Sequence, residues 1–159
     1  MLFDLPWPDV ARSGRFALIV TDHELADSLA TGLQPHVYRF RRDDLTARGI
    51  RYEDLVAVSD VVVAKAGYGI VSECIANGAS LLYTSRGRFV EHDMFVAEMP
   101  RVLRCRYVDQ DDLREGRWAD AIDALLEQPR PPDRLAANGA EIAAAAILRA
   151  TGDPTNYGV

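Results

Sequence analysis

A chain of 159 residues, 48% hydrophobic and 26% charged, has the composition of an ordinary soluble protein and the length of one domain. Its net charge of −6 disfavours a general nucleic-acid-binding protein, and since the sequence contains no 18-residue apolar run, no transmembrane helix is expected. We therefore treat residues 1–159 as a single domain with peripheral ends at 1–14 and 152–159.

The first half of the chain is predicted to contain two strands and two helices. A buried strand is expected where an apolar run barely alternates, and a helix where leucines recur every four residues. The predicted strands cover residues 15–21 and 36–40, and the predicted helices cover residues 24–32 and 52–58. Arg39, Arg41 and Arg42 are followed directly by Asp43 and Asp44, which indicates a solvated strand end.

The second half is predicted to continue this alternation. Strands are expected over residues 61–63, 80–84 and 102–108, and the pattern of the last indicates an edge position or one wet face. Helices are expected over residues 70–77, from 91–93 to about 99, and over 118–128 and 133–150. Gly78 would end the first of these and Asp133 would cap the last. This order predicts an α/β fold, a three-layer α/β/α, Rossmann-like parallel sheet of about five strands.

Residues 59–73, SDVVVAKAGYGIVSE, form the most informative stretch. A β-branched strand leads into a glycine-flanked loop, Ala66-Gly67-Tyr68-Gly69, and then into a helix predicted to start at Ile70. This order builds anion sites in α/β proteins, because the N–H groups and the positive end of the helix dipole face the ligand. Lys65, the one lysine among 18 basic residues, is a candidate cation for such a site. The same pattern also fits a plain buried strand whose turn packs closely against its helix.

Polar residues also follow the strand predicted over residues 80–84. In an open α/β sheet, ligands bind beyond the carboxyl ends of the strands. The candidates there are Thr84, Ser85, Arg86, Arg88, Glu91, His92 and Asp93. Arg86 and Arg88 suit a phosphate clamp or are solvated loop arginines. A cationic end facing a carboxylate and histidine end suits a nucleotide sugar, with the diphosphate on one side and the hydroxyls on the other.

Two acidic or basic side chains have alternative interpretations. Glu73 either complements the dipole from the first turn of its helix, or its carboxylate accepts the hydroxyls of a ribose, as acidic residues do in dinucleotide folds. His92 is either a base or sugar contact, or a structural histidine at a helix start. No Ser-His-Asp order, HExxH motif or Walker P-loop is present, so no catalytic residue is assigned beyond His92 as a candidate.

The two cysteines and the N-terminus indicate the compartment. Cys74 and Cys105 lack the CxxC spacing and the histidine pattern of a zinc site, so no metal is expected. Cys74 falls on an apolar helical face and Cys105 in a strand, which predicts buried free thiols in a reducing environment. The N-terminus, MLFDLPWPDV, is acidic and interrupted by proline, unlike a secretory signal. The predicted location is therefore cytoplasmic.

Six spaced blocks of the sequence share the pattern of one family. They are Tyr52-Glu53-Asp54-Leu55, Ser59-Asp60-Val61-Val62-Val63, Lys65-Ala66-Gly67-Tyr68-Gly69, Ser72-Glu73-Cys74, Leu81-Leu82-Tyr83-Thr84-Ser85-Arg86-Gly87 and Glu91-His92-Asp93. They resemble the C-terminal, donor-binding domain of two-domain (GT-B) glycosyltransferases. The resemblance covers about residues 15–126. It is closest to bacterial glycosyltransferase-like proteins related to the N-terminal half of plant arabinokinase, and more distant to the peptidoglycan N-acetylglucosaminyl transferase.

This resemblance implies roles for the matching positions. Gly67, Tyr68, Gly69 and the helix start would hold the donor diphosphate, and Glu73 would hold the ribose, with Ser72 in the same block. Three residues would face the transferred sugar: Glu91, His92 and Asp93. Such enzymes work without a bound metal or cofactor, because the helix dipole and side chains stabilise the leaving diphosphate of the nucleotide diphosphate sugar.

The chain departs from the family in length. Little precedes residue 15, so the acceptor-binding domain and the first glycine-rich strand of the donor domain are not recognised in the sequence. We therefore expect a donor-domain-only relative with weak or no transfer activity alone, or half of a split enzyme completed by a separate acceptor-domain chain.

Two other functions stay open at this point. One is a non-catalytic α/β interaction module, for which an unpaired sheet edge would favour a homodimer. The other is a phosphate-sugar enzyme of the epimerase type. The nucleobase, the sugar, the acceptor and the oligomeric state are not predicted by the sequence.

Overall fold

The protein is described by a computed structural model that covers residues 15–22, 36–85, 87, 90–136 and 138–151. These residues form five strands and seven helices. The strands are β1 (Leu18–Asp22), β2 (Val37–Arg41), β3 (Val61–Lys65), β4 (Ser80–Thr84) and β5 (Cys105–Tyr107). The helices are α1 (Arg42–Ala47), α2 (Tyr52–Ala57), α3 (Tyr68–Asn77), α4 (His92–Val102), α5 (Gln110–Arg114), α6 (Ala119–Leu126) and α7 (Gly139–Ala150). The helix predicted over residues 24–32, the candidates Arg86 and Arg88, and the two chain ends lie outside the described residues.

All strand pairings in the described ranges are parallel, and they form two sheets. β1 pairs with β2 along its whole length. β4 lies between β3 and β5, with Lys65 opposite Thr84 at the carboxyl end. Parallel neighbours need crossover connections, which α3 and α4 provide before and after β4. The predicted parallel α/β class and the edge position of β5 are confirmed, and the strands divide into sheets of two and three.

The three-stranded sheet is covered on both faces, which gives the three layers that the sequence predicts. All five residues of β4 are buried, and they alternate between the two faces. The first core cluster, shared with α3 and α4, includes Leu81, Tyr83, Val71, Cys74 and Met99. The second cluster, on the opposite face against α6, includes Leu82, Trp118, Ile122 and Leu125, with Phe16 and Leu18 packed beside it. Full burial of a leucine contributes about 1.5–3 kcal/mol, so this strand anchors both halves of the core.

The ends of two helices show where local signals suffice and where they fail. Gly78 ends α3 in the left-handed conformation (φ 70°, ψ 15°), which confirms its predicted role. The prediction that Asp133 caps the last helix is wrong, because α7 begins at Gly139 after Asn138. Asp133 instead accepts a hydrogen bond from Nε of Arg101 at 3.1 Å, and its N–H donates to the Arg101 carbonyl at 2.9 Å.

Two further boundaries differ from the predicted ones. The basic cluster is not only a strand end, because Arg42 begins α1, whose first turn holds Asp43 and Asp44 where carboxylates complement the helix dipole. α4 continues through Pro100 to Val102, so β5 begins later than predicted, at Cys105. None of the helices in the described ranges combines the length and the apolarity that a bilayer crossing requires.

Candidate functional site

The carboxyl end of β3 leads directly into the start of α3. Gly67 precedes the helix with an extended backbone (φ −150°, ψ 155°), and α3 begins at Tyr68, ahead of the predicted start at Ile70. The first N–H groups of a helix have no partner within it, and glycine has no side chain to cap them. A Cβ added to Gly69 meets no atom within 4 Å outside its own helix backbone. The first turn of α3 therefore combines backbone donors that have no partner within the helix with open space beside Gly69.

Tyr68 connects the start of α3 to the start of α4. Its hydroxyl donates to Oε2 of Glu91 at 3.2 Å, and its ring centroid lies 4.5 Å from that of Phe95 at an interplanar angle of 50°. The carbonyl of Glu91 accepts from the Phe95 N–H at 2.9 Å, so Glu91 is held at the first turn of α4. Desolvation, followed by the nearby Glu91 carboxylate, raises the pKa of Tyr68. The phenol therefore stays protonated and orients the carboxylate.

Ser72 and Glu73 lie on different sides of α3. Ser72 follows Tyr68 by four residues and borders a groove between α3 and α4. Glu73 follows Gly69 by four residues, so it lies one turn further along on the side of the open space. Glu73 is the sixth residue of α3, and no acidic residue occupies the first turn. The interpretation that it complements the dipole from the first turn is therefore wrong.

Glu73 occupies a polar corner between α2 and α3. The side-chain amide of Asn77 donates to the Glu73 carbonyl at 2.9 Å and to its Oε2 at 3.5 Å. Burial, and then the neighbouring Cys74 and Glu73, raise the pKa of Tyr52 at the start of α2. Glu73 is half-buried, with the Asn77 amide as a donor to its carboxylate and the Tyr52 phenol within electrostatic range.

Lys65 and Thr84 end the neighbouring strands β3 and β4 and are register partners. Because Val61 and Val63 pack against the second core cluster, alternation directs Lys65 to that face, opposite α3. Lys65 is exposed, whereas Thr84 is only 4% exposed. The Thr84 hydroxyl makes no hydrogen bond within the described part of the chain. Such a buried hydroxyl has unused capacity for an oxygen ligand.

The loop after β4 is tied to the start of α5. Gly87 has a φ of 89°, a left-handed conformation that favours glycine, and its N–H donates to the Ser85 hydroxyl at 3.1 Å. The side-chain amide of Gln110, at the start of α5, donates to the Ser85 carbonyl at 3.0 Å. His92 and Asp93 follow as the first residues of α4, the former half-buried and the latter exposed.

A mostly apolar groove of about 430 Å³ runs between α3 and α4 from Tyr68. Its apolar walls are formed by Val71, Ile75, Phe95, Met99, Val102 and Leu135. Arg101 lies at its far end with ion pairs to Asp133 and Glu98, each at 2.9 Å. These two carboxylates, Asp133 first, raise the pKa of Arg101. The groove has the size of small-molecule pockets, but the charge of Arg101 at its far end is already neutralised by Glu98 and Asp133.

Comparisons with known proteins give one partial similarity. The chain is 28% identical over 113 residues to the L-arabinokinase of Arabidopsis thaliana, which is 70% of this chain and 10% of that protein. The matched part thus spans about a tenth of the length of this relative. No protein-family model matches the chain, and no solved structure matches it. The similarity relates the chain to part of a protein whose name refers to a sugar.

Reasoning from the sequence missed three features at the carboxyl edge of the three-stranded sheet. Gln110 was not a candidate, although it directly follows the β5 connection and the rule of strand ends would have found it. The contacts of Tyr68 with Glu91 and Phe95 join residues more than 20 positions apart, for which the sequence holds no local signal. The third feature is the burial of Thr84, which follows from the central position of β4 in its sheet.

Among the described residues, no group of three or more His, Cys, Asp or Glu side chains is arranged to hold a metal ion.

Proposed function

We propose that the carboxyl edge of the three-stranded sheet binds a nucleoside diphosphate sugar, and that the chain is a donor-domain relative of GT-B glycosyltransferases. The observation that carries the proposal is the open first turn of α3. The first N–H groups of α3 have no partner within the helix, the space beside Gly69 is open, and Glu73 lies one turn further on the same side. The six sequence blocks that resemble the family and the partial similarity to an L-arabinokinase support a sugar-related ligand.

The diphosphate is assigned to the first turn of α3. A helix dipole alone contributes about 0.3–1 kcal/mol at an exposed site, so binding needs further donors. The backbone N–H groups of Gly69 and Ile70 supply two, and Lys65 ends β3 directly before this turn. Lys65 and its register partner Thr84 both lie on the face of the sheet opposite α3. The lysine ammonium must therefore fold over the strand end to reach the phosphate, and the buried Thr84 hydroxyl is not assigned a phosphate contact. Arg86 is a proposed phosphate contact on sequence grounds alone.

The sugars are assigned to the carboxylates on either side of this turn. Glu73 accepts the ribose hydroxyls, because it stands beyond Gly69 on the open side. Glu91 accepts hydroxyls of the transferred sugar through the carboxylate oxygen that Tyr68 does not use. His92 and Asp93, in the first turn of α4, are further sugar contacts, with His92 as the candidate base.

The activity that we propose is binding, with weak or no transfer by this chain alone. In the enzymes that the sequence resembles, a separate domain binds the acceptor and usually supplies the base. A second chain carrying that domain would complete the enzyme, which makes this a proposal about assembly as well as about the ligand.

Calorimetric titration of the whole chain with UDP, UDP-N-acetylglucosamine and GDP-sugars tests the proposal. We expect one of these ligands to bind, and Gly69→Ala to weaken its binding about tenfold or more, because the new methyl group fills the ligand's space. Gly139→Ala is the matched control, since this glycine also begins a helix in open space but lies in α7. Both changes replace glycine by a better helix former, so neither should cost stability.

A second pair of variants examines the ribose contact. Glu73→Gln keeps the shape of the side chain but removes the charge, and it should weaken binding about tenfold. Glu53→Gln makes the same change on α2, where the side chain is exposed, and should leave affinity unchanged. No heat with any of the ligands at millimolar concentration rejects the proposal. Full affinity in Gly69→Ala would move the diphosphate away from α3.

A further inference from the structure

The tetrapeptide Ala-Asn-Gly-Ala occurs twice in the chain, at residues 76–79 and 137–140. Asparagine followed by glycine is prone to spontaneous deamidation, because glycine has no side chain to shield its backbone nitrogen from the neighbouring side-chain amide. The flanking alanines are the same at both places, so the two sites have a similar chemical tendency in the unfolded chain. A difference between them in the native protein therefore comes from the fold.

The first copy lies at the end of a packed helix. Asn77 is the last residue of α3, and its side-chain amide donates to the carbonyl of Glu73 at 2.9 Å and to its Oε2 at 3.5 Å. The Ala79 N–H donates to the Cys74 carbonyl at 3.0 Å, in the turn that leads into the fully buried β4. Rotation of the Asn77 backbone would disturb this connection between two core elements, so the fold protects Asn77.

The second copy lies at the start of an exposed helix. Asn138 directly precedes α7 and makes no side-chain hydrogen bond to it. Gly139 is the first helical residue, so its N–H has no acceptor within the helix. A Cβ built at Gly139 meets no atom of another part of the chain within 4 Å. The side-chain amide and the backbone nitrogen of this pair are both exposed and unprotected.

A local opening of α7 separates this arrangement from reaction. Asn138 has φ −113° and ψ 28°, and at this ψ the Gly139 nitrogen lies across the Cα–C bond from Cβ, so the peptide must rotate before a ring can close. The rotation breaks the hydrogen bond from the Ile142 N–H to the Asn138 carbonyl, which is 3.1 Å long. All twelve residues of α7 are exposed. A helix of about 12 residues without buried contacts is marginal in water, so its end opens at little cost in free energy.

We propose that Asn138 is a site of spontaneous deamidation in the native chain and that the fold protects Asn77. The Gly139 nitrogen attacks Cγ of Asn138, and its proton passes to the departing amide nitrogen. A nitrogen–Cγ bond forms, the Cγ–Nδ2 bond breaks, and ammonia leaves. Water then opens the succinimide at Cγ to give aspartate, or at the backbone carbonyl to give isoaspartate. The inference does not depend on the proposed function, because it concerns these two peptide segments alone.

The two products affect α7 differently. An aspartate at the helix start complements the positive end of the dipole and accepts hydrogen bonds from the first N–H groups, so the helix is retained. An isoaspartate leads the backbone through the side chain and adds one carbon atom to it, which disrupts the first turn. Either product adds one negative charge to the −6 of the unmodified chain.

Peptide mass spectrometry tests the proposal after the whole native chain has been incubated in mildly alkaline buffer. Tryptic peptides 66–86 and 135–149 each contain a single asparagine. The mass increase of an amide-to-acid conversion should accumulate at least about tenfold faster in peptide 135–149 than in peptide 66–86. In urea the two rates should be similar, because the local sequences are the same. Equal rates in the native protein, or an unmodified Asn138 under conditions in which the urea-unfolded chain reacts, overturn the proposal.

A pair of glycine variants tests the mechanism. Gly139→Ala places a methyl group beside the attacking nitrogen and should slow the reaction of Asn138 severalfold, and circular dichroism can verify that the helix content is kept. Gly69→Ala makes the same change in the first turn of α3, away from both asparagines, and should leave both rates unchanged. An Asn138 rate that is unaffected by Gly139→Ala would show that the succinimide is not the intermediate.

Discussion

Helices α3 and α7 are alike in length and in apolar content, yet one is packed and the other is not. α3 has ten residues and buries Val71 and Cys74 against the sheet, whereas α7 has twelve and buries none. The difference lies in the connections. α3 joins two parallel neighbours, β3 and β4, and this crossover lays it across the sheet. α7 is the last element of the described residues, and no strand follows it within them. Apolar composition thus favours a helix, while topology decides whether it is covered.

The largest expected effect on stability comes from one change made in both regions. Leu81→Ala removes a fully buried side chain from the cluster beneath α3 and should lower the free energy of unfolding by about 2–5 kcal/mol. Leu148→Ala makes the same change on exposed α7 and should cost at most about 0.5 kcal/mol. Urea unfolding of the two variants measures both losses. Equal losses would show that α7 packs on the body of the protein.

The next effect is on thiol reactivity. Burial, and then the neighbouring Glu73, raises the pKa of Cys74 to about 12, and burial raises that of Cys105 to about 11. The reactive thiolate of Cys74 is therefore about a thousandfold scarcer than that of an ordinary exposed cysteine. In the native protein, Cys74 should resist alkylation, whereas a cysteine introduced on exposed α7 by Ala143→Cys should react readily. Rapid native labelling of Cys74 would mean that α3 is not firmly packed.

A glycine-to-alanine pair compares the backbones of the two helices. Gly78 ends α3 at a φ of 70°, and although an added Cβ meets nothing within 4 Å, the left-handed conformation should cost alanine about 1–2 kcal/mol. Gly139→Ala in α7 should be neutral or slightly stabilising, because its backbone is not left-handed. Thermal unfolding of the two variants measures the difference. A neutral Gly78→Ala would mean that the end of α3 can rearrange.

The contrast between these helices also explains how much of the fold was predictable. The observed bounds of β4, Ser80–Thr84, match the predicted ones, because an apolar run bounded by Gly78 is a local signal. The start of α7 was not predictable, since Asp133 is removed from its expected capping role by Arg101, 32 residues away. The division of five strands into two sheets likewise depends on long-range packing, which periodicity does not contain.

The candidate site was predictable as a set of residues but not as an arrangement. The strand-end rule selects Lys65, Tyr68 and Glu91, all of which lie at or beside the carboxyl edge. It does not predict that alternation sends Lys65 to the face opposite α3, or that the Tyr68 hydroxyl bonds to Glu91. Such relations arise only when the chain has folded. Their roles in ligand binding stay predictions.

The smallest expected effect comes from side-chain hydrogen bonds at helix starts. The start of α2, which packs beside α3, has such bonds, and the start of α7 does not. Asp54 accepts from the Arg51 N–H at 2.8 Å and from Nη2 of Arg51 at 3.3 Å, whereas Asn138 makes no side-chain cap bond to α7.

The hydrogen bond from the Arg51 backbone N–H first, and then the Arg51 guanidinium, lower the pKa of Asp54. A lowered folded-state pKa stabilises the protein above the unfolded value of about 3.9, and this contribution is lost as pH falls through the lower folded value. The protection of the α2 amides, expressed relative to the intrinsic exchange rate at each pH, should therefore fall on acidification below about pH 4, and Asp54→Asn should abolish that dependence. Glu53→Gln removes a charge from the same turn without touching the bond to Arg51, so it should leave the acid response unchanged. An acid response that persists in Asp54→Asn would locate the titrating carboxylate elsewhere.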